Sequence, residues 1–172
     1  MNNIIKIGLG GGCHWCTEAV FQSLIGVSKV EQGWIASDNQ NDTFSEAVIV
    51  SFNADIINLE TLIEIHLHTH KSTSNHSMRK KYRSAIYYFD SNQKVIYNSI
   101  INKLQLDFNN AIITKVLLYK AFKASRKEIT NYYYSNPKKP FCERFISPKL
   151  LLLMQKFSNY TDSKKLNVLI SV

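Results

Sequence analysis

The 172 residues are 45% hydrophobic and 20% charged, proportions that exclude a disordered or collagen-like chain and supply one domain's worth of core. Lys and Arg total 21 against 13 Asp and Glu, a net charge of +8. Such a surface attracts nucleic acid or acidic proteins, but there is no zinc-finger spacing and no Gly-containing aromatic strand of the RNP type, so nucleic acid is not an expected partner.

The longest aliphatic run, residues 150–154, is far short of the roughly 20 residues that cross a bilayer, so no membrane partner is expected. The N-terminus lacks the basic start, long apolar stretch and small-residue cleavage site of a signal peptide, and a cytoplasmic location is expected. Three cysteines are too few for a disulfide scaffold. Two of them form the pair Cys13-x-x-Cys16, which in a reducing compartment reads as redox or metal chemistry.

In chain order, residues 4–9 read as a short apolar strand, broken by Gly10-Gly11-Gly12. A helix is predicted over about 13–25, with Gly26 as its natural stop. Strands follow over 27–36 and 46–52, separated by a polar turn over 37–43. Asn58 is placed to cap a helix in which Leu59, Leu62, Ile63, His66 and Leu67 recur at helical spacing as far as His70. A polar loop over 71–80 leads into a strand over 82–89. A helix over 93–105 and a strand over 112–119 come next. Ser125-Arg126-Lys127-Glu128 has capping-box spacing and is predicted to open a helix to about Ser135, which Asn136-Pro137 ends. A last short helix covers 148–157.

The first 89 residues thus run β-α-β-β-α-β, the order of the split βαβ, ferredoxin-like unit. With an appended α-β-α segment, this predicts an α+β fold, a two-layer sandwich of helices on a mainly antiparallel sheet. Residues 1–157 read as a single domain and 158–172 as a C-terminal tail, with the apolar stretch 166–172 as its one means of docking.

The most informative stretch is Gly10-Gly11-Gly12-Cys13-His14-Trp15-Cys16-Thr17-Glu18. Glycines allow a tight turn and close approach of a ligand to the backbone. Cys13 falls at the start of a helix, where free N–H groups and the helix dipole favour negative charge, a route to a nucleophilic thiolate. Cys16, three residues on, shares its helix face at a Cα separation of roughly 5 Å, within disulfide range. A sulfenic acid on Cys13 could therefore condense with Cys16. The rival reading is zinc held by the two cysteines with two of His66, His68, His70 and His76, although His-x-His-x-His is not finger spacing.

Gly12-Cys13-His14-Trp15-Cys16-Thr17-Glu18 resembles the Gly-Cys-Phe-Trp-Gly-x-Glu motif of the peptide methionine sulfoxide reductase A family. The likeness continues in order through Gly26-Val27, Gly33-Trp34, Phe44-Ser45-Glu46-Ala47-Val48, His66, Tyr82-Arg83-Ser84-Ala85-Ile86-Tyr87, Asn136-Pro137 and Pro148-Lys149-Leu150, covering about residues 4–157. The resemblance implies reduction of the S epimer of methionine sulfoxide, free or in proteins, without a cofactor or metal. Carried over residue by residue, Cys13 matches the nucleophile, Glu46 the acid that protonates the sulfoxide oxygen, Tyr82 an oxygen-binding tyrosine and Trp15 the indole that packs against the substrate methyl group. The cysteine sulfenic acid is resolved as a disulfide by Cys16 or by Cys142, with a relay through both as a further course. Thioredoxin or a similar thiol reductant restores the thiols, and a monomer is expected.

The departures fall around the same site. His14 stands in place of the methyl-pocket phenylalanine and Trp34 in place of a second tyrosine, both at expected substrate-binding positions. Ser77 replaces a usual aspartate, Leu67-His68 replaces Asp-Pro, and Ile129 stands where a histidine is common. Two other readings remain open from the sequence. One is a thiol–disulfide oxidoreductase using Cys13 and Cys16. The other is a non-catalytic relative that binds methionine sulfoxide or a metal.

Overall fold

The computed structural model describes residues 2–170. Met1, Ser171 and Val172 lie outside the described residues, the last two at the end of the predicted tail. The elements, in order, are β1 (Ile4–Gly10), α1 (His14–Gln22), β2 (Val27–Ala36), β3 (Ser45–Asn53), α2 (Leu59–His68), β4 (Ala85–Tyr88), α3 (Ser91–Leu104), β5 (Lys115–Leu118), β6 (Ala121–Ala124), α4 (Tyr132–Ser135), α5 (Ser147–Lys156) and α6 (Ser163–Ile170).

One six-stranded sheet has the order β5-β4-β1-β3-β2-β6. Its four inner strands are antiparallel neighbours in the predicted ferredoxin-like arrangement. β5 joins one edge parallel to β4, and β6 joins the other antiparallel to β2. Strand alternation divides the apolar side chains between two faces. Ile7 and Leu9 of β1, Val48, Val50 and Phe52 of β3 and Ile86 of β4 face the helices and form the main core with Val20, Phe21, Leu62, Ile63, Leu150 and Leu153. Ile35, Ala47, Ile49, Ala85 and Tyr87 form a second, smaller cluster on the opposite face.

Only Tyr119 and Lys120 separate β5 from β6, though these strands lie on opposite edges. The three Cα steps from Leu118 to Ala121 reach roughly 10 Å, far less than the width of six flat strands. The sheet therefore curls until its edges approach, and Phe122, Leu117 and Tyr119 close the smaller cluster. Glycines permit this curl. A Cβ on Gly8 would stand 2.8 Å from Tyr87 Cβ and 2.9 Å from Ile35 Cδ1, and one on Gly33 would stand 2.2 Å from the Lys123 carbonyl.

Several predicted elements change length for identifiable reasons. Asn58 caps α2 as expected, accepting the Thr61 N–H at 2.8 Å. Asp90 caps α3 in the same way, so that helix begins at Ser91 rather than 93. The capping box at Ser125 does not form. Ser125 donates its N–H to Gln32 O at 2.9 Å, which spends it on the sheet, and only a short 3-10 turn over Lys127–Ile129 and the single turn α4 follow. β6 is an unexpected sixth strand. The predicted strand over 112–119 begins only at Lys115, because the N–H groups of Ile112 and Ile113 are spent on Gln105 and Ser72.

Beyond residue 157, Ile25 donates to Tyr160 O, Asp162 to Ser23 O and Lys165 Nζ to Gln22 O. These bonds tie the chain to the end of α1, and Leu166 of α6 is buried in the main core. Among the described residues no helix is long and apolar enough to cross a membrane.

Candidate active site

Cys13 sits where β1 hands over to α1, as the residue before the helix, with φ −57° and ψ 128°. Its carbonyl accepts from Cys16 N–H at 3.0 Å and Thr17 N–H at 3.2 Å. The Cys16 thiol and the backbone N–H groups of Trp15 and Cys16 are the influences that favour its thiolate form. The thiol bond from Cys16 is the largest influence holding Cys13 below the usual cysteine value, against burial and the neighbouring Glu46 charge. Cys16 is pushed far the other way, first because it donates to Cys13 and then because it is buried. Of the pair, Cys13 is the one favoured as thiolate and Cys16 the one held protonated.

The second residue of β3 brings the carboxyl group. Glu46 lies opposite Trp34 of β2 in register and is buried, not turned to solvent. Its Oε2 accepts the backbone N–H of His14 at 3.0 Å, which fixes the carboxyl group one residue from Cys13. His14 is also buried, and its Nδ1–H donates to Gly33 O at 2.7 Å. That bond leaves Nε2 toward the carboxylate, 3.9 Å from Oε2. The Lys81 ammonium lies 3.9 Å from Oε1, and the Trp34 ring meets the His14 ring edge-on at 4.9 Å.

An open cleft of about 540 Å³ is lined by Cys13, Cys16, Tyr82, His70, Phe141 and Lys149, among others. Tyr82 does not begin a strand as predicted. It lies three residues before β4, where its N–H donates to Met78 O at 2.9 Å and its ring stands 5.0 Å beneath the Lys81 ammonium. The late start of β4 at Ala85 leaves Tyr82 outside the sheet, on the cleft wall. His14, Trp15, Trp34 and Glu46 lie beside the cleft rather than in its lining. Trp15 stacks flat on Tyr132 at 3.9 Å, with Phe141 edge-on at 5.4 Å.

Cys142 is fully buried in a wide π-helical turn, Cys142–Ile146, that runs into α5. Burial pushes its thiol up. Cys142 does not line the cleft that holds Cys13 and Cys16.

The histidines are committed elsewhere. His66 donates from Nε2 to Gly10 O at 2.9 Å, and burial depresses it to about 4. His70 donates from Nδ1 to His66 O, and its Nε2 bonds Ser84 Oγ at 2.8 Å. Among the described residues no three His, Cys, Asp or Glu side chains converge on a metal-sized site. Ser77 is an exposed residue of a 3-10 turn, and the Ile129 carbonyl accepts from Gln32 Nε2 at 3.2 Å.

Three residues of the site carry no role in the sequence reading. Glu18 is buried and accepts the N–H groups of Asn131 and Tyr132, both at 3.0 Å, fixing the turn that carries Tyr132 onto Trp15. Arg79 ties the carbonyls of Gly11, Tyr82, Ser74 and Lys71 together and so holds the cleft wall to the glycine turn. Lys149 reaches Thr69 O from the first turn of α5. Glu18 and Lys149 stand inside the quoted motifs, the one signal that points to them; Arg79 leaves none.

A family model described as peptide methionine sulfoxide reductase matches residues 5–162. The chain is 33% identical over 166 residues to the peptide methionine sulfoxide reductase MsrA of a Nitratiruptor species, covering 88% of this chain and 95% of that one. Its fold is similar to that of Mxr1 from Saccharomyces cerevisiae in reduced form, with a TM-score of 0.71, 21% identity and coverage of 81% and 90%. It is also similar to Mxr1 in complex with Trx2, with a TM-score of 0.60, 20% identity and coverage of 73% and 84%. With the family pattern matched across nearly its whole length, the chain belongs to the peptide methionine sulfoxide reductase family.

Proposed function

We propose that the protein reduces methionine S-sulfoxide, free or in proteins, to methionine, with Cys13 as the nucleophile. One observation carries the reading. A thiol held below the usual cysteine value, chiefly by the Cys16 thiol, and a buried carboxyl group held by the adjacent backbone N–H meet at one helix start.

The Cys13 thiolate attacks the sulfoxide sulfur. Glu46 delivers a proton to the oxygen, and Tyr82 on the cleft wall donates a hydrogen bond to it. The oxygen passes to Cys13, methionine leaves and a cysteine sulfenic acid remains, so the substrate gains the two electrons that Cys13 loses. Trp15, His14 and Trp34 shape the surroundings of the substrate methyl group. The Cys16 thiol forms a disulfide with Cys13 and the sulfenic oxygen departs as water. Cys142 then attacks Cys16, moving the disulfide to Cys16–Cys142 and freeing Cys13. Thioredoxin or a similar thiol reductant closes the cycle. We read residues 1–157 as one domain acting as a monomer, in the cytoplasm, where such reductants work.

The test is a single turnover of the reduced protein with each epimer of a methionine sulfoxide peptide, without added reductant, followed by mass spectrometry of peptide and thiols. One methionine from the S epimer with two thiols lost is expected. No methionine from either epimer, with three thiols intact, would reject the reading.

A further inference from the structure

Lys149 is a half-buried lysine on the wall of the cleft that holds Cys13 and Cys16. It donates to the carbonyl of Thr69, at the end of α2, and among the described residues no carboxylate pairs with it. An ammonium group held out of water without a counter-ion is costly unless an anion forms near it. The two thiols line the same cleft and are the candidates. From this placement we propose that Lys149 is a positioning residue for the second half of the cycle, the counter-charge that lets Cys16 ionise once Cys13 has been oxidised. The inference rests on the reading that Cys13 becomes a sulfenic acid and Cys16 resolves it.

The timing follows from what acts on each thiol. In the reduced protein Cys16 is held protonated chiefly by its hydrogen bond to Cys13 and then by burial, and Lys149 is the one group that pulls it the other way. Burial pushes the Lys149 ammonium down, and negative charge on Cys16 or Cys13 is what raises it. Converting the Cys13 thiolate to a neutral sulfenic acid removes the anion that Cys16 was serving as donor. It also removes that anion's repulsion of a second one. Burial and Lys149 remain, and Lys149 favours the thiolate.

The step balances within the chain. The Cys16 sulfur supplies the electron pair of the new S–S bond while the Cys13 S–O bond breaks. The leaving hydroxide takes up the proton released by Cys16 and departs as water. Cys13 is reduced by one electron equivalent and Cys16 oxidised by one. Lys149 stays protonated throughout. Before oxidation the same arrangement keeps Cys16 a donor, so it assists the nucleophile first and replaces its lost partner second.

The experiment uses the full chain with Cys142→Ala, so that only the Cys13–Cys16 disulfide forms within it. Single turnovers on a methionine S-sulfoxide peptide are quenched in acid, with methionine and disulfide measured separately. A 1,3-diketone probe traps the sulfenic acid in parallel. Lys149→Met is expected to lower the disulfide-forming constant about tenfold relative to the methionine-forming one, the effect of one unit in the ionisation of Cys16. Trapped Cys13 sulfenic acid accumulates, and Lys149→Arg restores most of the ratio.

The pH profile of the disulfide step moves to higher pH in Lys149→Met. The other titratable groups that act on Lys149 or answer to it, namely Cys13 before α1 and Cys16 within it, His66 of α2, and His70 and Lys71 after it, are the same in both proteins. An unchanged ratio overturns the proposal. So does an equal fall in both constants without rescue by arginine, which is the signature of a structural role. Absence of methionine in the parent protein instead rejects the proposed function itself, a different result.

Discussion

Replacing Glu18 tests how the site is held together. Its carboxylate is 1% exposed and accepts the N–H groups of Asn131 and Tyr132, both at 3.0 Å. Asn131 stands in the left-handed region at φ 51°, a backbone conformation that costs a non-glycine residue roughly 1 kcal/mol and needs outside support. A hydrogen bond to a charged group contributes about 1.5–3 kcal/mol, so the pair amounts to roughly 3–6 kcal/mol. Burial pushes the Glu18 carboxyl up, which means desolvation offsets part of that gain. The loss for Glu18→Ala is therefore set near the lower end, about 3 kcal/mol, or roughly 6–12 °C in Tm for a chain of this length. The released turn frees Tyr132, so its stack on Trp15 at 3.9 Å is lost as well. Chemical denaturation gives the first quantity. Emission of Trp15 in a Trp34→Phe background gives the second, since the chain has two tryptophans. A Glu18→Ala protein within about 0.5 kcal/mol of its parent refutes the argument, because that is the change expected of an uninvolved surface position. So does full loss of stability with unchanged Trp15 emission.

His66 links stability to acid. Its folded value of about 4 lies below the ordinary 6.5, so between these the unfolded chain binds a proton that the folded one does not, and stability falls as pH drops through that window by about 3 kcal/mol. His66→Gln keeps a donor for Gly10 O without titrating there, and its denaturation midpoint is expected to lose much of this pH dependence. Gly33→Ala places a Cβ 2.2 Å from the Lys123 carbonyl, so β6 must leave β2; hydrogen exchange of residues 121–124 is expected to accelerate while β1 and β3 stay protected. On the proposed function His14→Phe makes the methyl pocket apolar, and a severalfold fall in KM is expected, measured with the S-sulfoxide peptide.

How much of this is readable in the sequence depends on the range of the interactions concerned. Asn58 is recognisable as a cap because its partner, Thr61 N–H, is three residues away. The Gly10-Gly11-Gly12-Cys13 turn is readable for the same reason, since strand, break and helix start lie within one window. Ser125 misleads because the local capping box loses to Gln32, a strand partner 93 positions earlier in the chain. β6 has no signal of its own: its four residues are a strand only because the sheet curls far enough to offer the edge of β2. The motif gives Tyr82 its role but the local pattern gives it the wrong element. Glu18 stands in the motif without a role, because its partners lie more than a hundred residues away and are backbone groups that no side-chain motif reveals.

The departures around Glu46 take on a common logic once the anchor is seen. The carboxyl group is held by the backbone N–H of residue 14, and that bond exists whatever side chain residue 14 carries. An imidazole can thus replace a phenyl ring without moving the acid, provided its own polar atoms are satisfied, and Gly33 O satisfies Nδ1. Trp34 follows from the same arrangement. It is the cross-strand neighbour of Glu46 and packs its ring on His14, so the two changed residues are partners of one another. A polar ring at 14 brings Nε2 toward the carboxylate, and an indole at 34 shields that contact from water without offering a second acidic hydroxyl. Substitutions that look like separate losses along the chain are one repacked corner in space. The corner leaves untouched the influences that favour the Cys13 thiolate, which come from residues 15 and 16.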